Sequence, residues 1–141
     1  MSAALLAACD RPSPVSLASS DPKLFLDHVY ARAFSRPPSL DWLADRAKIF
    51  DVSTAALLAS QPLLDLNPLC QCDHPGRINT QIAITPTGPA SARADITVED
   101  ETRKTLRPVE MDLVLESGEW RIHDITSAFG DTLRGAYHGG G

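Results

Sequence analysis

Apolar residues recur at helical spacing in the first part of the chain and alternate with polar ones in the second. Asp21-Pro22 opens the first helix, with Asp21 as N-cap and Pro22 at the first helical position, where its missing N–H is harmless. Phe25, Leu26, Val29, Tyr30, Ala33 and Phe34 then fall on one broad face, with Asp27, His28, Ala31 and Arg32 opposite. Pro37-Pro38 ends it. Ser39 is placed to cap a second helix running to about Phe50, with Leu40, Leu43, Ala44, Ala47 and Phe50 as its stripe. Trp42 and Ile49 stand on a different face, so this helix is expected to touch two neighbours. A third, short helix starts near Ser53 and carries Ala56, Leu57 and Leu58 before Pro62.

From Pro62 to Gly76 the composition is that of a loop, punctuated by Asn67-Pro68 and His74-Pro75-Gly76. The period then changes to two. Ile78 to Thr85 predicts a strand, and Gly88-Pro89 a turn. Ala92, Ala94, Ile96 and Val98 mark one face of a second strand. On a third, Val109, Met111, Leu113 and Leu115 face inward and Glu110, Asp112 and Glu116 outward. Ser117-Gly118 makes a tight turn into a fourth strand, Trp120 to Ile125. A short helix is expected around Thr132-Leu133-Arg134, and Gly139-Gly140-Gly141 ends the chain as a flexible tail.

Helices followed by an antiparallel meander make an α+β domain with its helices on one face of the sheet. On that pattern, and on particular stretches, the chain resembles a bacterial envelope family labelled domain of unknown function 3828. The stretches are Leu24-Phe25 through Tyr30, Asp65-Leu66-Asn67-Pro68-Leu69, Val114-Leu115-Glu116 with Trp120-Arg121-Ile122, Asp124-Ile125, and Gly130-Asp131-Thr132-Leu133-Arg134. The resemblance covers roughly residues 21–134. It implies three N-terminal helices packed on a curved four-stranded antiparallel sheet, the nuclear-transport-factor-2-like or cystatin-like cone. The family label carries no activity.

With 141 residues, the chain suits one domain. Residues 1–20 are expected to be a signal remnant and tether, 21–137 the domain, and 138–141 the tail. The net charge of -5 comes without any basic stripe. Nucleic acid is therefore excluded as an expected partner, because phosphate binding needs clustered Lys and Arg. Anionic lipid is disfavoured for the same reason.

Ala4-Leu5-Leu6-Ala7-Ala8-Cys9-Asp10 resembles a bacterial lipobox, in which an apolar residue and small residues precede the cysteine that is lipidated. Eight residues precede Cys9, with no Lys or Arg among them, whereas a working signal has a basic start and an apolar segment of about 7–15 residues. The lipobox reading thus requires an upstream start; the alternative is an ordinary N-terminus rich in Ala and Leu. The Pro/Ser-rich stretch from Arg11 to Ser20 suits a tether. On this reading the protein sits on the periplasmic side of a bacterial envelope membrane, attached only through Cys9. It is cytoplasmic if the motif is accidental. Lipidating Cys9 leaves Cys70 and Cys72, an even pair in an oxidising compartment.

Cys70-Gln71-Cys72-Asp73-His74 is the one clustered constellation of reactive side chains. A Cys70–Cys72 disulfide, a soft-metal site using Cys70, Cys72 and His74, and free thiols all fit it. By strict alternation Asp124 shares the inward face with Trp120 and Ile122, where desolvation would tune a carboxylate as a general base. A strand-end Asp equally serves as acceptor for a nearby turn or as partner of Arg134. Tyr30, Met111, Trp120, Asp124 and Arg134 are the candidate pocket residues. His123 is expected to be solvated, and Glu99, Asp100 and Glu101 to form a solvated hairpin. No phosphate loop, serine nucleophile elbow or metalloprotease helix is encoded, and no cofactor is expected. The expectation is a binding module for a protein partner or a small apolar ligand, such as an accessory or immunity protein. An enzyme of isomerase or hydrolase type using Asp124 and a metal-binding loop are the alternatives.

Overall fold

A computed structural model describes residues 21–60 and 66–138. Cys9, the tether, residues 61–65 and the terminal glycines lie outside the described residues. Helix α1, Pro22–Ala33, begins as expected: Asp21 Oδ1 accepts from the N–H groups of Lys23 at 2.8 Å and Leu24 at 3.4 Å. It buries Phe25, Leu26, Val29 and Tyr30.

The second helix is far shorter than its apolar spacing suggests. Only Arg46–Ile49 is helical, here α2. The cause is local: Asp41 Oδ1 accepts from Leu43 N–H (2.9 Å) and Ala44 N–H (2.8 Å), and Asp45 Oδ2 accepts from Asp41 N–H (2.9 Å). These carboxylates offer the backbone a turn in place of helical hydrogen bonds. Leu40, Ile49 and Phe50 are buried, while Ala44 and Ala47 are exposed. Phe50 then leaves as extended chain and bridges Ile122 in parallel. Helix α3, Val52–Ser60, is capped by Asp51 and not Ser53, and it buries Thr54 and Leu58 while Ala56 is exposed.

The sheet is a four-stranded antiparallel meander in the order β1 (Ile78–Gly88), β2 (Ser91–Asp100), β3 (Thr105–Glu116) and β4 (Glu119–Thr126). Ser117 and Gly118, at φ 54° and 79°, supply the two positive φ values that the tight β3–β4 turn needs. The inward face carries Ala92, Ala94, Ile96 and Val98 on β2 with Val109, Met111 and Leu113 on β3, all buried as the alternation predicts. Its opposite face stays polar, with Arg93, Asp95, Glu99 and Asp112 exposed.

In β4 the alternation breaks. Leu113 pairs with Ile122 and Asp112 with Asp124, so His123 is an extra residue, a β-bulge. Trp120 and Ile122 point inward, and after the bulge it is Ile125, at 1% exposure, that returns to the core. Asp124 is thereby displaced from the inward face to which strict alternation assigns it.

Helix α1 packs against β1, and α2 and α3 contact β4. The last helix, α4 (Leu133–His138), contacts β4 and α3 and extends the expected short helix through His138. Among the described residues the architecture is α+β: one open antiparallel sheet with one helix of twelve residues, one single-turn helix and two short ones. Among the described residues no helix is long and apolar enough to cross a membrane.

Candidate functional site

The core itself leaves no room for a ligand at the expected pocket residues. Met111 is fully buried, and Tyr30 and Trp120 are at most 8% exposed; all three pack into the main cluster with Phe25 and Ile122. Tyr30 also ties two elements together. Its hydroxyl donates to Leu69 O at 2.6 Å, and its ring stacks on Phe34 with centroids 5.9 Å apart. Burial pushes the phenol well above its ordinary range, so it remains a neutral donor.

Asp124 and Arg134 are brought together, but through the backbone. Asp124 Oδ1 accepts from Ile125 N–H at 2.9 Å and from Arg134 N–H at 3.0 Å, which fixes the first turn of α4 on the end of β4. The Arg134 guanidinium turns elsewhere, donating to Ser53 Oγ (3.1 Å) and to Thr54 Oγ1.

Two carboxylates of the fold are more deeply placed than sequence spacing reveals. Asp51 accepts from Thr54 N–H (2.9 Å) and Ser53 Oγ (3.3 Å) through Oδ1, and its Oδ2 lies 2.6 Å from His123 Nδ1. Burial pushes its pKa up, but the hydrogen bonds from Thr54 and His123 outweigh that and hold it below the ordinary carboxylate range. His123 is thus paired, though strand alternation would leave it in solvent. Asp100, at 5% exposure, is no solvated hairpin residue either. It accepts from the N–H groups of Gly76 (3.0 Å), Thr102 (3.0 Å) and Arg103 (3.1 Å), and these bonds, that of Gly76 first, lower its pKa. Both residues act as nodes: Asp51 joins α3 to the bulge of β4, and Asp100 joins the loop end to the β2–β3 turn.

In the loop, Cys70 and Cys72 are joined as a disulfide. Their sulfurs are consumed by each other, and the His74 side chain is 82% exposed, facing Asp73 at 3.7 Å. Among the described residues no three His, Cys, Asp or Glu side chains gather as a metal site.

Among the hollows that the described residues form, one with a mostly apolar wall lies at one end of the sheet. A groove of about 350 Å³ runs between the loop at 66–71, the start of β3, the end of β4 and α4. Leu66, Pro68, Pro108, Ile125, Phe129 and Leu133 make its apolar wall, and Gln71, Arg107 and Asp131 its polar fringe. Its outer lip is built by a turn in which Ser127 N–H donates to Asp131 O (2.9 Å) and Gly130 N–H to Ser127 O (3.0 Å). Gly130 takes φ 87°, which suits glycine. That turn holds Phe129 in solvent at 90% exposure, beside Leu66 at 44%. Phe129 and Leu66 thus leave apolar surface open to water at the mouth of the groove.

A second hollow of about 350 Å³ adjoins the first and shares Leu66, Gln71 and Arg107 with it. Cys70, Cys72, Ile78 and Val98 line it. Arg107 therefore stands at the junction, and its guanidinium makes no ion pair or side-chain hydrogen bond among the described residues. No family model, curated protein or solved structure matches the chain. The site must be read from its own residues.

Neither Asp51 nor His123 is among the described residues that line the two hollows. Sequence reasoning missed the groove because its wall comes from four separated segments. The one signal for it was an apolar Phe129 in an otherwise polar Ser127–Asp131 turn.

Proposed function

We propose that this protein is a non-catalytic binding module of the bacterial cell envelope, tethered through Cys9, which holds a small, largely apolar molecule in the groove between the loop at 66–71 and α4. The observation that carries this reading is the groove's composition and size. Its volume of about 350 Å³ falls in the lower part of the ~300–1,000 Å³ typical of small-molecule sites, and its wall is mostly apolar. The occupant is an amphiphile with an acidic end, since Arg107, which makes no ion pair among the described residues, stands where the two hollows meet.

The same reading places the chain in the domain of unknown function 3828 family and its fold among the nuclear-transport-factor-2-like cones. The helix-then-meander order and the Trp120-Arg121-Ile122 and Gly130 to Arg134 stretches support that assignment. Asp124 serves in it as the acceptor that seats α4, and the groove's chemistry is binding alone.

Isothermal titration of the full chain with dodecanoate and with dodecanol tests the reading. Saturable binding is expected, about tenfold tighter for the carboxylate, a difference worth roughly 1.4 kcal/mol for one charge-assisted contact. Ala128→Trp, which fills the groove from an exposed position on its lip, should abolish it. Binding that is absent, or unaffected by Ala128→Trp, refutes it.

A further inference from the structure

We infer that the Cys70–Cys72 disulfide is a thiol–disulfide exchange site that accepts electrons from a dithiol peptide or protein, an activity independent of the ligand proposed for the groove. The bridge closes over a single residue, and that residue, Gln71, is held at φ 55°, in the left-handed region that a residue with a side chain adopts only at a cost. The two sulfurs are unequal. Cys70 is 1% exposed, whereas Cys72 is partly accessible, and both border the second hollow together with Arg103 and Arg107. An incoming thiolate has one approachable sulfur, and of the two arginines at the hollow Arg103 is paired with Asp100 while Arg107 makes no ion pair among the described residues.

The loop is also built to survive reduction. Asn67 N–H donates to Cys72 O (2.7 Å), Gln71 N–H to Asn67 O (2.8 Å), Leu69 N–H to Asn67 Oδ1 (2.9 Å), and Tyr30 Oη–H to Leu69 O (2.6 Å). None of these bonds depends on the S–S bond. Cys70 Sγ lies 3.8 Å from Asn67 O and 3.7 Å from Cys72 O. In the disulfide it has no hydrogen to donate to either. Once reduced, the buried thiol finds acceptors already in place, so the reduced state leaves no buried donor unsatisfied.

The chemistry balances with the dithiol as the named reductant. One thiolate of the partner attacks Cys72 Sγ, an S–S bond to Cys72 forms, and the Cys70–Cys72 bond breaks with its electron pair on Cys70 Sγ. The proton released by the attacking thiol ends on Cys70. The partner's second thiolate then attacks its own sulfur in the mixed disulfide and releases Cys72, which takes up the second proton. The partner leaves as a disulfide, and two electrons and two protons have passed to Cys70 and Cys72.

The test uses the full chain carrying Cys9→Ser, so that only the loop sulfurs react. Equilibration with millimolar reduced glutathione, followed by alkylation and intact mass, should give the dithiol form with an unchanged far-ultraviolet circular dichroism spectrum. In the same background, the lone Cys72 thiolate of Cys70→Ser should exchange with a peptide supplied as a mixed disulfide with glutathione, forming the peptide–Cys72 disulfide and releasing glutathione thiol, and Cys72→Ser should react at buried Cys70 about tenfold more slowly. Oxidation of a reduced dithiol peptide by the disulfide form should exceed that with the Cys70→Ser, Cys72→Ser double variant by at least about tenfold. A bridge that stays oxidised in that buffer, or is lost only together with the fold, overturns the proposal. So does peptide oxidation that proceeds equally with the double variant.

Discussion

Replacing Asp51 with alanine tests how the bulge of β4 is held to the helices. The substitution removes the cap acceptor for Thr54 N–H at 2.9 Å, in a residue only 1% exposed, and the partner of His123 Nδ1 at 2.6 Å. Loss of an N-cap costs about 1 kcal/mol. The contact to His123, whose side chain is 41% exposed, is screened by water and contributes about 0.5–1 kcal/mol. The sum is about 2 kcal/mol, or a fall in Tm of about 8 °C for a domain of this size. Asp51→Asn keeps an acceptor for the cap and should lose less than about 1 kcal/mol. The pH dependence has a definite sign. Asp51 ionises below the ordinary carboxylate range in the folded chain, so its contribution is complete above the unfolded value of about 3.9 and fades as pH falls through the lower folded value. Thermal melts of wild type and Asp51→Ala, followed by circular dichroism, should therefore differ above about pH 4 and converge as pH falls below it. Equal stability at neutral pH, or a difference that does not shrink as pH falls below about 4, refutes the reasoning.

Two further substitutions probe the joints around the loop. A Cβ at Gly76 would collide with the Thr102 side chain and press on Asp100 Oδ1, so Gly76→Ala should destabilise by about 1–3 kcal/mol in urea unfolding; an unchanged midpoint would show that the loop end does not lie against the β2–β3 turn. Tyr30→Phe strips the donor from Leu69 O, a buried acceptor, and should cost about 1–3 kcal/mol in the same assay; a neutral result would mean that water replaces the phenol there.

What was legible in the chain was what depends on local period and on turn chemistry. Asp21-Pro22, the Ala92–Val98 alternation and the Ser117-Gly118 turn each encode their structure within a few residues, and each forms as expected. The second helix is shorter than its apolar spacing predicts because Asp41 and Asp45 compete for amides in a way that apolar spacing does not register. Asp124 was misplaced by the single extra residue at His123, since one bulge exchanges the faces of everything after it. The Asp51–His123 and Asp100–Gly76 contacts join residues 72 and 24 positions apart, and no spacing rule reaches that far. The groove shares this character: Leu66, Arg107, Ile125 and Phe129 become one surface only after the sheet and α4 are assembled.

The most direct test of the binding function is a backbone-amide nuclear magnetic resonance titration of the full chain with dodecanoate. Saturating shift changes confined to residues 66, 67, 69–71, 107 and 125–136, and absent in Ala128→Trp, are the predicted result. Shifts that never saturate, or that map to the polar sheet face of Arg93, Asp95 and Glu99, would contradict it.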